Sequence, residues 1–274
     1  MAEYIDRRAM KAESKALLAD AQVSPKAMTA LYLGLLLALN SLSAIAENAG
    51  ILATFVTILS SLMGLVLHAG FALYCMAVRR GERVEFLALF DGFSFVGKII
   101  ALNIVIFLFT FLWSLCFMIP GVIAFYRYRF ALFNLYENPD MGIMEALNLS
   151  KRQTFGYKGQ LFMLDLSYIG WSLLATVPSF LYSASFYQDT FTAASEYVVG
   201  TIAFIPPDIA SGIALPVVAW TLIIGLWNLI VSLFYYPVYL CTELGYYETA
   251  KRTSGTGGHS YRSWQNGPDN MGGF

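Results

Sequence analysis

Three ionisable residues stand inside long apolar runs. Arg127 and Arg129 lie in AFYRYRFALFNLY, and Asp165 lies in LFMLDLSYIGW. An arginine in hydrocarbon costs on the order of 3 kcal/mol, so each needs a partner, a wet cavity or a path to the headgroups. Helical rise puts Arg129 about two turns from one end of its segment and Asp165 about two turns from the same end of the next. Arg129, or failing that Arg127, is therefore expected to pair with Asp165, and snorkelling without a partner is the competing reading. His68 also falls in an apolar run. With no acid near it in sequence, a hydrogen-bonded packing role is favoured over proton relay. His259 looks incidental.

Other chemistry lacks its parts. Cys75, Cys116 and Cys241 lie in apolar segments without metal spacing and read as buried inert thiols. There is no metal-ligand cluster, no glycine-rich phosphate loop and no pair of intramembrane carboxylates, so neither catalysis nor a cofactor or metal is expected. The net charge of -1 gives no basic excess that would suggest nucleic acid.

The elements that must position these residues are membrane helices. The chain is 58% hydrophobic and only 13% charged, with a mean hydropathy of +0.61, against roughly 25% charge in soluble domains. The pattern predicts an all-α polytopic membrane bundle of six spans at about 27–46, 51–78, 99–118, 120–136, 161–182 and 217–240. The first apolar block starts too late for a cleaved leader and is read as a retained span. Ser60, Ser61, Gly64 and Gly70 give the second span small residues for close helix contact.

Between the spans lie interfacial pieces. Residues 1–26 form a basic arm, in which Arg7, Lys11 and Lys15 at helical spacing, with Arg8 beside them, make one face positive. That face either lies on anionic lipid headgroups or is a solvated flank that fixes topology. Residues 79–98 mix charge with Phe86, Phe90, Phe93 and Phe95 and read as a short helix lying in the interface, aromatic side down. Asn138 is expected to cap a second surface helix that starts at Pro139 and ends near Lys151-Arg152. Residues 253–274 read as a disordered tail, which leaves 27–252 as the membrane domain.

Topology turns on Pro120-Gly121, read as a tight turn that sends the chain back. All 17 Lys and Arg residues fall in four places: the arm, residues 79–98, residues 127–158 and the end of the chain. The loops at 47–50 and 183–216 carry none. A chain that doubles back places all four regions, and both termini, in the cytoplasm. A mere kink would leave Lys151, Arg152 and Lys158 outside.

The run IPGVIAFYRYRFALFNLYENPDMGIMEALNLSKRQTFGYKG, followed by LFMLDLSYIGW, resembles the bacterial integral-membrane family called domain of unknown function nine-seven-five. The shared features are Ile119-Pro120-Gly121, Tyr128, Asn138-Pro139-Asp140, Glu145-Ala146, Ser150-Lys151, Lys158-Gly159 and residues 167–171, with Phe90–Phe93, Pro237, Tyr239 and Tyr247 fitting as well. The likeness spans roughly the first 250 residues. Tyr168, where phenylalanine is usual, and a longer loop after the fifth span depart from it. The resemblance implies a bacterial plasma-membrane protein, distantly similar to the membrane domain of glycerophosphodiester phosphodiesterases, and supplies no activity. Two functions follow as expectations. The first is a scaffold or accessory protein binding membrane lipids, anionic headgroups among them, or an unidentified membrane protein at the cytoplasmic face, in an oligomeric state that the sequence leaves open. The second is a transporter or channel for a small anionic solute, lined by Arg127, Arg129, Asp165, Asn103 and Asn228.

Overall fold

A computed structural model describes residues 3–46, 49–181 and 207–255. The expectations for Glu47-Asn48, for residues 183–206, for His259 and for a disordered tail lie outside the described residues. Every regular element among them is helical: α1 (Arg7–Ala19), α2 (Pro25–Ile45), α3 (Ile51–Arg79), a 3-10 helix (Phe86–Phe95), α4 (Val96–Cys116), α5 (Met118–Tyr128), α6 (Ala131–Glu137), α7 (Ile143–Gln153), α8 (Lys158–Leu166), α9 (Ile169–Leu181) and α10 (Pro207–Thr253). Four stretches are long and apolar enough to cross a membrane: Pro25–Ile45, Ile51–Arg79, Phe86–Leu115 and Ala219–Thr253. A fifth is added if α8 and α9, bent by 50° at a short break, count as one. The last helix is longer than its expected span at both ends. It starts at Pro207, where the missing N–H of a first-turn proline costs little, and runs on to Thr253.

The chain divides into two units. The first comprises residues 1–24, 65–167 and 238–274, and the second 25–64 and 168–237. Every Lys and Arg from Arg7 to Arg252 except Lys26 belongs to the first.

The second unit is held by close contacts between apolar helices. Tyr32 of α2 stacks on Tyr236 of α10, with ring centres 5.9 Å apart. Gly225 leaves room only for the Leu37 side chain. Ser43 and Ser60 join α2 to α3 at 3.1 Å, and Trp171 of α9 stacks on Tyr235. Ser60 and Gly64 thus serve the close contact read from their size, whereas Ser61 is exposed and bonds to the Thr57 carbonyl of its own helix.

The first unit contains a helical hairpin. Going out along α4 and back along α5 and α6, Ser114 meets Gly121, Phe109 stacks on Tyr128 at 6.0 Å, Leu102 shares a core with Ala131 and Leu135, and Lys98 donates to the Pro139 carbonyl. The return arm therefore retraces the outgoing helix over its length. The corner is not Pro120-Gly121, as expected, but Phe117, whose extended backbone (φ -163°, ψ 152°) ends α4 and begins α5. Pro120 sits in the first turn of α5, where its missing N–H has no helical partner to lose. Gly121 is needed for approach, since a Cβ there would lie 3.0 Å from the Ser114 Cα and Cβ and closer still to its hydroxyl.

The return arm is broken at Arg129-Phe130, and α7 repairs the break. The Arg127 carbonyl accepts from the Ser150 hydroxyl at 2.9 Å and the Thr154 hydroxyl at 3.2 Å, while the Phe130 N–H donates to Ser150 Oγ at 3.2 Å. Buried backbone groups freed by a break need such partners. Asn138 does not cap α7. It closes α6, with its N–H bonded to the Asn134 carbonyl, and opens a turn in which its own carbonyl accepts from the Met141 N–H. Pro139 takes the second position of that turn, which suits its fixed φ. α7 then begins at Ile143, after Gly142.

The 3-10 helix lies on α3 backbone to backbone. A Cβ on Gly70 would collide with the Leu89 carbonyl, and one on Gly92 would reach the Val66 carbonyl oxygen at 2.7 Å. Leu89 and Gly92 are buried in this contact, whereas Phe86, Leu87, Phe90 and Phe93 face outward.

Candidate functional site

Arg129 ends α5 and is the most heavily engaged side chain of the first unit. Its Nη1 donates to Asp165 Oδ2 at 2.5 Å and its Nη2 to Asp165 Oδ1 at 2.9 Å, a bidentate fork onto α8. Its Nε donates to Glu243 Oε1 of α10 at 2.6 Å, and Nη2 also reaches the Tyr239 hydroxyl. Two tyrosines complete the ring: Tyr126 donates to Asp165 Oδ2 at 2.7 Å and Tyr239 to Asp165 Oδ1 at 2.8 Å. The guanidinium also lies 5.4 Å from the centre of the Tyr126 ring. The Arg129 and Glu243 side chains are only 8% and 7% exposed, and Asp165 is 28% exposed.

This clasp brings together Arg129 and Asp165, the pair expected from helical rise. It also holds three residues that the sequence did not place with them: Tyr126, Tyr239 and Glu243. Tyr239 and Glu243 are four residues apart on α10 and so share a face. With both acids ionised, one guanidinium meets two carboxylates, and the cluster carries one negative charge.

Arg127 is not part of it. Its carbonyl serves the break, and its partly exposed side chain makes no ion pair with Asp165. Asn103 and Asn228 bond to the Ile99 and Ile224 carbonyls of their own helices. His68 departs from its expected packing bond, because its buried Nδ1 has no hydrogen-bond partner among the described residues.

The basic arm is divided in its use. Arg7 donates to the Met163 carbonyl at 2.9 Å and Lys11 to the Ser167 hydroxyl at 2.8 Å, so both cations serve the C-terminal end of α8, where carbonyls lack helical donors. Both are thus engaged with the protein itself, beside whatever headgroup contact they make. Burial and the charges of Arg7 and Lys15 pull the Lys11 pKa below its ordinary value. Arg8 and Lys15 stay exposed. Upstream of α1, Gln160 receives the Ile5 N–H and donates to the Glu3 carbonyl, both at 3.0 Å.

Two further clasps tie the helices of this unit. Arg79 crosses α10 at Gly245 to reach Glu248 at 2.9 Å and Glu13 of α1 at 3.2 Å. Glu137 of α6 is bound by Arg80 at 2.6 Å, by Lys251 and by the Tyr247 hydroxyl at 2.8 Å.

No curated protein and no solved structure matches the chain, and the distant likeness to glycerophosphodiester phosphodiesterases therefore stands unsupported. Residues 117–253, half of the chain, match the family described as "Protein of unknown function (DUF975)". The match begins at the hairpin corner, ends with α10 and encloses every member of the Arg129 clasp, leaving out the earlier residues that the resemblance also took in. The chain belongs to this DUF975 family.

Proposed function

We propose that the chain is a membrane scaffold or accessory protein that holds lipid or a partner protein at the cytoplasmic face of a bacterial plasma membrane, with no catalytic step of its own. The observation that carries this reading is the closure of Arg129. A guanidinium has five N–H donors, and here four of them go to two carboxylates and a tyrosine of the same chain. An anion receptor needs its donors free and a net positive field. This cluster has neither, and the two asparagines that could have lined a path are turned onto their own backbones.

Exposed polar surface supports a topology for this reading. Glu145, Asn148 and Arg152 of α7 face outward beside the half of the hairpin nearest Lys98 and Pro139, so that half lies in the interface. The apolar surface from Ile104 to Phe125 is the half that enters hydrocarbon. Phe86–Leu115 as a whole is long enough to cross, but its outward apolar part from Ile104 to the corner is about 20 Å of helix, short of the roughly 30 Å of a bilayer core. The hairpin enters and leaves on one side, while α2, α3, the α8–α9 pair and α10 cross. That makes six embedded segments with both termini in the cytoplasm, and no Lys or Arg is stranded outside. The outward phenylalanines of the 3-10 helix anchor it at the same interface.

The test is a gentle detergent extract, with co-purified lipid and protein identified, run beside solute uptake into vesicles reconstituted with the pure chain. Retained lipid or partner without uptake is the expected result. Uptake that disappears in Arg129→Gln would overturn the reading.

A further inference from the structure

The first unit pairs five of its described cations with acids. Arg79 has Glu13 and Glu248, Arg80 and Lys251 share Glu137, Arg129 has Asp165 and Glu243, and Arg252 lies 3.7 Å from Glu3. Arg127, Lys151, Arg152 and Lys158 are among the cations that make no ion pair with any described residue. The fold also brings together the elements that carry these four. The bonds from Ser150 and Thr154 to the Arg127 carbonyl bring the last turn of α7, with Lys151 and Arg152, beside α5. The chain then turns through Gly156, at φ +85°, to start α8 at Lys158, which is close enough to Arg127 for their charges to repel. The Lys151 ammonium lies 5.8 Å from the Tyr128 ring centre and 3.1 Å from Asn148 Oδ1, neither of which offsets its charge.

Like charges on neighbouring elements, Arg127 and Lys158 closest among them, raise the free energy of the fold unless something outside the chain balances them. What stands next to them identifies the something. Phe125, Phe155 and Phe162 are exposed, Phe155 to 79%. A cluster of cations beside bare apolar surface fits the boundary between phosphate and acyl chain better than it fits open water.

We propose that Arg127, Lys151, Arg152 and Lys158 form a binding patch for the phosphate of an anionic phospholipid in the cytoplasmic leaflet. The proposal rests on the scaffold reading above and names its lipid class. It also moves the lipid contact away from the basic arm, where Arg7 and Lys11 are already committed to α8.

The test uses the full-length protein in detergent and native mass spectrometry with short-chain phosphatidylglycerol, phosphatidylcholine, inorganic phosphate and a poly-glutamate peptide as separate probes. Phosphatidylglycerol should bind more tightly than phosphatidylcholine, and less tightly as salt rises. Each cation near an anionic surface is worth about fivefold in affinity, so Lys151→Gln/Arg152→Gln and Arg127→Gln/Lys158→Gln should each weaken phosphatidylglycerol binding by roughly 25-fold. Arg8→Gln/Lys15→Gln, on exposed positions of α1, should leave it unchanged. Lys replacements of Arg127 and Arg152 should keep most of it, which separates lost charge from lost structure. Equal binding of the two lipids, or full affinity in either neutralised pair, would overturn the proposal. So would phosphate or poly-glutamate binding as tightly as the lipid. Arg129-dependent uptake by vesicles with lipid binding still lost in the neutralised pairs would remove the scaffold reading and leave the patch standing.

Discussion

Replacing Arg129 should damage the protein more than replacing either of its acidic partners, because the clasp holds one cation and two anions. Arg129→Gln leaves Asp165 and Glu243 facing each other without a counter-charge, and an uncompensated buried charge costs about 3–5 kcal/mol. Asp165→Asn leaves the Arg129–Glu243 pair, and Glu243→Gln leaves the bidentate Arg129–Asp165 pair. Each of those loses hydrogen bonds to a charged group, worth about 1.5–3 kcal/mol. At about 2–4 °C per kcal/mol for a chain of this size, Arg129→Gln should lower the unfolding midpoint by about 10 °C and each acid variant by roughly half as much. The assay is thermal unfolding in detergent followed by tryptophan fluorescence. The decisive variant is the triple Arg129→Gln/Asp165→Asn/Glu243→Gln, which removes all charge from the cluster and should be more stable than Arg129→Gln alone. Arg129→Lys should fall between wild type and Arg129→Gln, since an ammonium cannot reproduce the fork. An Arg129→Gln protein no less stable than either acid variant, or a triple less stable than the single, would refute the argument.

Three other outcomes are expected. Gly70→Ala should detach the 3-10 helix and lower the unfolding midpoint, with Gly97→Ala, which meets open space, as the neutral comparison; equal midpoints for the two would contradict the close backbone contact. Gly121→Ala should destabilise the hairpin, and adding Ser114→Gly should restore most of the loss, since Ser114 is what the new methyl would strike; absence of rescue would mean that the corner is held some other way. A membrane-impermeant thiol reagent should label Asn148→Cys only from the cytoplasmic side and Phe117→Cys from neither, in a cysteine-free background; labelling of Phe117→Cys from outside would show a hairpin that crosses completely.

The parts of this architecture that follow from local physical cost can be read from sequence. Arg129 and Asp165 stand in apolar runs where a lone charge is expensive, so their pairing is implied by rise and cost alone. The doubling back of the chain follows from the placement of Lys and Arg, even though the corner proves to be Phe117. What the sequence hides depends on register between distant helices. Glu243 reads as lying beyond the end of the last span, because apolar character falls away near Leu240 while the helix itself continues to Thr253. Its place beside Arg129 comes from α10 packing against α5, over a separation of 114 residues. One signal was present: Tyr239, Glu243 and Tyr247 recur at four-residue spacing, and each offers a polar group to the inner face of a helix. Asn138 misled for a different reason. Asn-Pro-Asp suits a turn as well as a helix start, and the choice between them was made by Asn134, whose carbonyl takes the Asn138 N–H.

The break in the return arm ties these observations into one arrangement. A continuous helix from Met118 to Glu137 would keep its carbonyls to itself and leave Ser150 and Thr154 without their bonds to Arg127. Interrupting it at Arg129-Phe130 is tolerable only because α7 supplies hydroxyls to the freed backbone and α8 and α10 supply carboxylates to the arginine. The same hydroxyl bonds that mend the break carry Lys151 and Arg152 to Arg127, so the interior clasp and the unneutralised surface patch are two faces of one joint. A substitution that mends the helix, or that removes Ser150, should therefore weaken both the fold of the hairpin and the hold on anionic lipid together. Changes at the outer cations alone should separate them, lowering lipid affinity without lowering the unfolding midpoint.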